Sequence, residues 1–167
     1  DGTFKPNTTV SRMHFAVFMY RAKYKNLAKM NVHFIDVGQG DSIFIQSPNG
    51  KTMLIDGGTA SGGDKVVAHL KSLGVSTIDY VVATHPDADH IGGLLDVFAA
   101  FKVNHFVHSG KTHTSATFEK LLTAVINEGS TNIEPNTGDT IPLDSTIKIQ
   151  VLHADKYASD NNDASLV

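Results

Sequence analysis

Residues 84–93 have the sequence Thr-His-Pro-Asp-Ala-Asp-His-Ile-Gly-Gly, which places four side chains able to bind a metal within six positions. These side chains are His85, Asp87, Asp89 and His90. The apolar run just before them, Tyr-Val-Val-Ala, is typical of a strand, and the glycine pair just after them would let a helix pack closely. The pattern predicts a strand that ends in a ligand loop and is followed by a helix.

The side chains of this loop suit a centre for divalent metals. On a turn, residues at i, i+2, i+4 and i+5 can converge on a small volume, and their imidazoles and carboxylates are ligands for Zn2+, Mn2+ or Fe2+. Four ligands exceed the need of one four-coordinate ion if other segments also contribute, which favours two ions. Two ions about 3.5–4 Å apart stabilise the attacking and leaving oxygens of a hydrolysis and lower the pKa of bound water to about 7.

A simpler interpretation is an acidic loop that caps the helix starting near Ile91. Asp89 would then be the N-cap, and Asp87 would interact favourably with the helix dipole. This interpretation explains the carboxylates, but it does not explain the two histidines or the Gly-Gly pair at 92–93.

The segments around the loop predict a mixed α/β fold. Three strands come first and form an antiparallel meander, since Asn49-Gly50 is a strong hairpin signal. The first of them, with Val32 and Phe34, is predicted to be mostly buried. Helices and strands then alternate, which predicts sheet layers covered by helices. The predicted helices span 63–73, 91–101 and 118–128; the predicted strands span 32–37, 42–46, 51–56, 78–84, 103–107, 131–134 and 146–152.

Composition narrows the class of protein. A chain of 167 residues is long enough for one domain with a sizeable core. The net charge of -3, without a basic run, argues against a large basic nucleic-acid face, although a substrate held through metal ions stays open. The chain has no cysteine, so disulfides and thiolate metal sites are excluded. Its apolar runs are far shorter than the ~20 residues of a membrane span.

Two stretches resemble a known family. THPDADHIGGL at 84–94 resembles the metal-binding signature of the metallo-β-lactamase fold, in its His-x-Asp-x-Asp-His variant. HFIDVGQGDSIFIQSPNGKTMLIDGG at 33–58 resembles the opening strands of the ComEC/Rec2 competence-protein branch of that superfamily. The resemblance covers about residues 31–167 and implies an αβ/βα sandwich and a metal-dependent hydrolase. Position 87 is Asp where the common motif has His, as is usual in this branch.

The resemblance also assigns roles to residues. It implies that His85 and Asp87 bind the first of two divalent ions and that Asp89 and His90 bind the second, with Zn2+ foremost and Mn2+ or Fe2+ as alternatives. Asp89 would also orient the bridging water and so act as the catalytic residue. Asp56 would lie beneath the loop and hold the ligand histidines in orientation, although by pattern alone it could simply cap a turn.

Other polar residues have weaker assignments. Asp36 and Asp41 flank Gly-Gln-Gly and would either shape the mouth of the site or only satisfy backbone donors in a tight turn. One of His105, His108 and His113, which surround a strand end, is a candidate to reach the site, and His153 is a similar case. The sequence assigns His33 and His69 a structural or exposed position.

The family pattern contains more than this chain does. In the family, a Gly-Asp segment and a later His-His-Gly segment follow the part that this chain resembles and supply further ligands; the Gly-Asp pairs of this chain lie earlier, and it has no His-His-Gly. We therefore expect about the first half of the sandwich and half of the metal ligands, with weak metal affinity and little hydrolytic activity for this chain alone. A half-sandwich would expose a sheet edge and apolar surface, which favours dimerisation or aggregation.

The N-terminal segment has a resemblance of its own. DGTFKPNTTVSRMHFAVFMYRA at 1–22 resembles the closing part of an S-layer homology repeat, with His14 near the position where the family usually has Glu. In that family such repeats bind cell-wall polysaccharide, which implies an extracellular, wall-associated protein. The alternative is an amphipathic helix over 12–24 that docks on the main domain. The predicted division is a repeat remnant at 1–25, a linker at 26–30 and the metallo-β-lactamase-like domain at 31–167.

Two functions follow from these predictions. The first is a ComEC-like metallo-hydrolase that acts on a phosphodiester such as DNA rather than on a β-lactam. The second is a non-catalytic protein of cell-wall binding or interaction, with an incomplete or degenerate hydrolase fold.

Overall fold

The computed structural model describes residues 29–167. The predictions for 1–25, including the S-layer homology resemblance and the helix over 12–24, lie outside the described residues. Within the described part, the structure has the mixed α/β fold that the sequence predicts.

A six-stranded sheet forms the centre of the fold. Its strands lie side by side in chain order; β1, β2 and β3 are antiparallel, whereas β3 to β6 are parallel. The antiparallel part confirms the predicted meander, including its turn, in which the Gly50 amide donates to the Ser47 carbonyl at 2.9 Å. The strands are β1 (Asn31–Phe34), β2 (Ile43–Gln46), β3 (Thr52–Ile55), β4 (Thr77–Ala83), β5 (Lys102–His108) and β6 (Thr131–Ile133).

The helices connect the parallel strands and cover one face of the sheet. The long hydrophobic side chains between sheet and helices are fully buried, among them Phe44, Leu70, Leu94, Phe106 and Leu121. Helix α1 (Gly63–Ser72) lies between β3 and β4, α2 (Ala88–Ile91) and α3 (Leu94–Ala100) lie between β4 and β5, and α4 (Ala116–Glu128) lies between β5 and β6. The single helix predicted over 91–101 is therefore two helices, which separate at the Gly-Gly pair.

Helix α4 shows how local sequence defines its ends. The Ser115 hydroxyl accepts from the Phe118 amide at 3.3 Å, so it caps the first turn. Gly129 ends the helix in the left-handed conformation, with φ of 72°. The apolar pattern of the predicted helix over 118–128 also places Ile126 inward, and this prediction is wrong: Ile126 is 76% exposed, since only one stripe of a helix can face the sheet.

A small two-stranded sheet lies on the other face of the central sheet. It consists of β7 (Thr140–Pro142) and β8 (Lys148–Gln150). The sequence predicts a strand at 146–152 but not β7. Ile141, Leu143 and Val151 pack with Val107 and Leu166 into a second apolar cluster.

Strand β1 is at an edge of the central sheet within residues 29–167, and it is not buried. Val32 is 40% exposed and Phe34 is 79% exposed, so the prediction of a mostly buried strand is wrong. The second apolar cluster gathers around Met53, Val82 and Val107, which belong to β3, β4 and β5, so the small sheet does not extend over β1. Strand pattern alone does not distinguish an edge from the centre of a sheet.

Candidate metal-binding site

The loop of residues 84–93 begins where β4 ends, at the carboxyl edge of the parallel strands. Asp87 occupies the N-cap position of α2, but its side chain accepts no capping hydrogen bond. Asp89 lies inside the first turn of that helix and is not its N-cap. The structure therefore contradicts the interpretation of Asp89 as the helix N-cap, and neither side chain is used in a capping hydrogen bond.

Asp56 lies beneath the loop and bonds it at three points. Its carboxylate accepts from the Thr84 amide at 2.9 Å, the Thr84 hydroxyl at 2.6 Å and the His90 Nδ1 atom at 2.8 Å. The side chain is buried, and the backbone has a φ of 56°, a conformation that Asp and Asn tolerate better than most residues. Asp56 thus contacts both ends of the histidine segment, at Thr84 and at His90, and it does more than cap a turn.

The hydrogen bonds around Asp56 determine which nitrogens of the two histidines stay free. The Asp56 carboxylate accepts only, so the Thr84 hydroxyl donates to it and must accept from His85 Nδ1, which lies 3.0 Å away. His90 likewise uses its Nδ1 atom to donate to Asp56. In their neutral forms both rings then present Nε2 with a free lone pair, and their centroids are 4.0 Å apart. This tautomer is the one that a metal-binding histidine needs.

Each carboxylate of the loop also has a partner. The Asp89 Oδ2 atom accepts from the Gln39 side-chain amide at 3.0 Å, and the Asp87 Oδ1 atom accepts from the Asn161 side-chain amide at 2.6 Å. The second oxygen of Asp87, Oδ2, lies 3.5 Å from His85 Nε2. The sequence did not indicate Gln39 or Asn161 as site residues, although Gln39 belongs to the Gly-Gln-Gly turn of the family-like stretch.

Burial, hydrogen bonds and nearby charges shift the pKa values of three residues of the site. Burial, and next the positive charge of His90, lower the pKa of His85. The hydrogen bond to Asp56 raises the pKa of His90 despite its partial burial. The Gln39 amide lowers the pKa of Asp89. At neutral pH, therefore, His85 is neutral and Asp89 is ionised, as metal ligands must be.

Glycines allow the surrounding segments to approach the loop closely. A Cβ atom on Gly93 would overlap the carbonyl oxygen of Gly57, and one on Gly40 would overlap the carbonyl oxygen of Asp89. The Gly93 amide also donates to the Gly58 carbonyl at 3.0 Å. The predicted close packing behind the loop is thus present, and it involves the loops after β1 and β3.

The other predicted residues lie around this centre rather than in it. The Asp36 carboxylate accepts from the Gly38 amide at 3.1 Å, so it serves its own turn. His105 stacks on Tyr80 with centroids 4.7 Å apart. His108 comes nearest, since it lines a small pocket together with His85. The remaining histidines make local contacts elsewhere: His33 with His69, His113 with the Ser115 amide, and His153 with the Asp163 carbonyl.

The side chains of the loop have the right chemistry to bind a divalent metal, but too few of them are grouped around one point to hold an ion. Two imidazole Nε2 atoms and the free oxygens of two carboxylates are ligands that Zn2+ accepts. Across residues 29–167, however, no group of three or more His, Asp or Glu side chains is arranged to hold an ion by itself. These residues therefore offer ligands to a metal without enclosing it.

Sheet, helices and site together define the class of protein. The family model of the metallo-β-lactamase superfamily matches residues 35–155. The chain therefore belongs to the metallo-β-lactamase superfamily, whose members have a hydrolase-type fold.

Two known proteins are similar to most of the chain. ComE operon protein 3 of Bacillus subtilis (strain 168) is 32% identical in an alignment of 155 residues that covers 81% of this chain and 20% of that protein. The crystal structure of the metallo-β-lactamase SMB-1 in a complex with mercaptoacetic acid matches 74% of this chain and 50% of its own, at 18% identity and a TM-score of 0.51. The chain thus spans about one fifth of the first relative and half of the second. In the part that the structure describes, no helix has the length and apolar character needed to cross a membrane.

Proposed function

We propose that the chain carries one side of the active site of a ComEC-like metallo-hydrolase that cleaves a phosphodiester, such as DNA, with a metal-activated water. The observation that carries the proposal is the hydrogen-bond chain from Asp56 through Thr84 to His85, and from Asp56 to His90, which leaves both Nε2 atoms free. The 32% identity to ComE operon protein 3 supports the branch. The choice of phosphodiester depends on the resemblance to the competence-protein branch.

Each residue of the loop has a separate task in this proposal. His85 and Asp87 would hold the first ion, and Asp89 and His90 would hold the second. When bound, the ions, Zn2+ foremost with Mn2+ or Fe2+ as alternatives, supply charge that activates a water at neutral pH. Asp89 would also orient that water as the catalytic carboxylate. Asp56 fixes the orientation of both histidine rings, directly for His90 and through Thr84 for His85, so that their Nδ1 atoms are not available to bind metal.

The proposal predicts weak metal binding by this chain alone. Paired donors leave most coordination positions to water, and structural sites usually use four protein ligands. Metal analysis after gel filtration tests this expectation. Two tightly held Zn2+ ions per chain would contradict it, whereas metal that is lost on gel filtration would agree with it.

A hydrolysis assay tests the reaction itself. The chain, saturated with Zn2+ or Mn2+, is incubated with linear DNA, with bis-p-nitrophenyl phosphate and with a chromogenic β-lactam, each with and without EDTA. We expect slow, EDTA-sensitive cleavage of the phosphodiesters only, and at least about a hundredfold loss for Asp89→Ala. Asp64→Ala, an exposed carboxylate in the first turn of α1, is the matched control. Activity that survives EDTA or Asp89→Ala would refute the mechanism.

One observation favours a second function, a non-catalytic binding protein of the cell wall. Residues 29–167 contain no ready group of three metal ligands, and residues 1–22 resemble the end of a repeat that binds wall polysaccharide. In this case the protein is extracellular and attached to the wall. Co-sedimentation of the chain with purified cell-wall polysaccharide, combined with no EDTA-sensitive hydrolysis, would favour this function over the first.

A further inference from the structure

The C-terminal loop is fixed against the metal-binding loop. The Leu166 amide donates to the Thr84 carbonyl at 2.9 Å, and the Lys111 ammonium donates to the Ala158 carbonyl. These two contacts bring the half-buried Asn161 side chain to Asp87, 74 residues earlier in the chain, with Nδ2 and Oδ1 2.6 Å apart. The loop is therefore bonded to the rest of the fold both before and after Asn161, so the Asn161–Asp87 contact does not depend on a single flexible side chain.

The loop after β1 reaches the same site from the other side. The Gly58 amide donates to the Asp41 carbonyl at 2.9 Å, which ties this loop to the end of β3. Gly40 lies directly against the Asp89 carbonyl, where a Cβ atom would not fit. This packing places the Gln39 side-chain amide 3.0 Å from Asp89 Oδ2. Two separate loops thus hold the two carboxylates in the same manner.

A side-chain amide is well suited to this task. It donates one N–H to one carboxylate oxygen and adds no charge, so the other oxygen keeps its lone pairs for a cation. A Lys or Arg at the same position would neutralise the carboxylate and repel the ion. The amide also removes rotational freedom from the carboxylate before the metal arrives, which lowers the entropy lost on binding.

We propose that Asn161 and Gln39 are positioning residues that select the metal-binding oxygen of Asp87 and Asp89, respectively. The inference rests on the proposed function, because it needs a metal at this site. Neither residue touches the reacting atoms, and both act through the carboxylates. Asn161 serves the ion held by His85 and Asp87, and Gln39 serves the ion held by Asp89 and His90.

Zinc affinity measures the effect directly, without an activity assay. Competition with a chromophoric chelator gives the Zn2+ dissociation constant of the full chain and of Asn161→Ala and Gln39→Ala. We expect each to bind Zn2+ about 10–100-fold more weakly, the loss typical of an outer hydrogen-bond partner. Asn161→Leu keeps a similar shape and adds no charge but loses the donor, so it should weaken binding at least as much as alanine does. Asn162→Ala removes the adjacent, exposed amide and should leave the affinity unchanged.

A double-mutant cycle in EDTA checks the contact without metal. The urea midpoints of Asn161→Ala, Asp87→Ala and the double variant should be non-additive if the two side chains are bonded. Additive midpoints would overturn the inference. The inference would also be overturned if both amide variants kept the wild-type Zn2+ affinity while Asp87→Ala and Asp89→Ala weakened it. That result would leave the proposed metal site intact. If the two carboxylate variants also keep full affinity, the proposed site itself is wrong, and the inference is wrong with it.

Discussion

The Asp56 carboxylate accepts a hydrogen bond from the His90 ring at 2.8 Å, although 34 residues of chain separate them. The same carboxylate holds Thr84, which in turn holds His85. One buried acid at the end of β3 thus controls both imidazoles of the loop after β4. It can do so because β3 and β4 are adjacent parallel strands whose ends meet at one edge of the sheet.

Replacement of Asp56 should therefore destabilise the fold. Asp56→Ala leaves the half-buried Thr84 amide and the His90 ring without their acceptor and puts Ala at a positive φ, so we expect a loss of about 4 kcal/mol in the free energy of unfolding. Asp56→Asn keeps one acceptor oxygen and tolerates the backbone, so it should lose about half as much. Urea denaturation in EDTA measures both. A loss below about 1 kcal/mol for Asp56→Ala would show that the network contributes little.

Gly93 and Gly129 allow steric overlap to be separated from backbone strain. Gly93 has an ordinary φ of -73°, but a Cβ there would overlap the Gly57 carbonyl oxygen. Gly129 has a φ of 72° and open space around it. We expect Gly93→Ala to destabilise by about 3 kcal/mol or more and Gly129→Ala by about 1 kcal/mol. Thermal unfolding of the two variants checks the order, and the reverse order would contradict the close packing at Gly93.

The largely buried His108 should make the fold sensitive to acid. Its Nδ1 atom accepts from the Gly110 amide at 3.1 Å, and its Nε2 atom has no hydrogen-bond partner among the described residues, although Glu134 lies 3.6 Å away. Burial lowers the pKa of His108, and Glu134 only partly opposes this effect. Below about pH 6.5 the unfolded chain therefore takes up a proton that the folded chain resists. Stability that is complete above this pH is lost as the pH falls toward the lowered pKa.

Urea denaturation of His108→Gln in EDTA at pH 7.5 and pH 5.5 tests this dependence. The variant should lose less stability between the two pH values than the wild-type chain does. The value at pH 7.5 serves as the internal control, because it contains any packing effect of the substitution. Equal losses in both proteins would mean that His108 does not contribute to acid sensitivity.

The exposed apolar side chains of β1 should promote self-association. Val32 and Phe34 alternate along an edge strand of the described sheet, and both are substantially exposed. Edge strands with apolar side chains tend to pair with another chain. We expect Val32→Thr with Phe34→Ser to shift the chain toward the monomer in sedimentation velocity, with a stability change within about 0.5 kcal/mol. Ile126→Ser on α4 removes an equally exposed but isolated side chain and should change nothing. Unchanged association in the β1 variant would exclude this strand as the contact.

Much of the fold follows from local pattern. Apolar runs, helix periodicity and glycine positions predict the meander and the alternation of helices and strands, because each depends on neighbours a few residues away. The failures have the same origin. Whether Val32 is buried depends on where the small sheet of β7 and β8 lies, and the split between α2 and α3 depends on the packing of a glycine pair against other loops.

The sequence by itself determined the chemical types of the candidate site: two imidazoles and two carboxylates in one short loop, in a pattern typical of the superfamily. Only the tertiary structure decided which atoms of these groups are free. The tautomers of His85 and His90 depend on Asp56, and the free oxygens of Asp87 and Asp89 depend on Asn161 and Gln39. These partners come from other loops, and they meet because the order of strands in the sheet brings those loops to one edge. A hydrogen bond depends on distance and angle in space, which spacing along the chain does not supply.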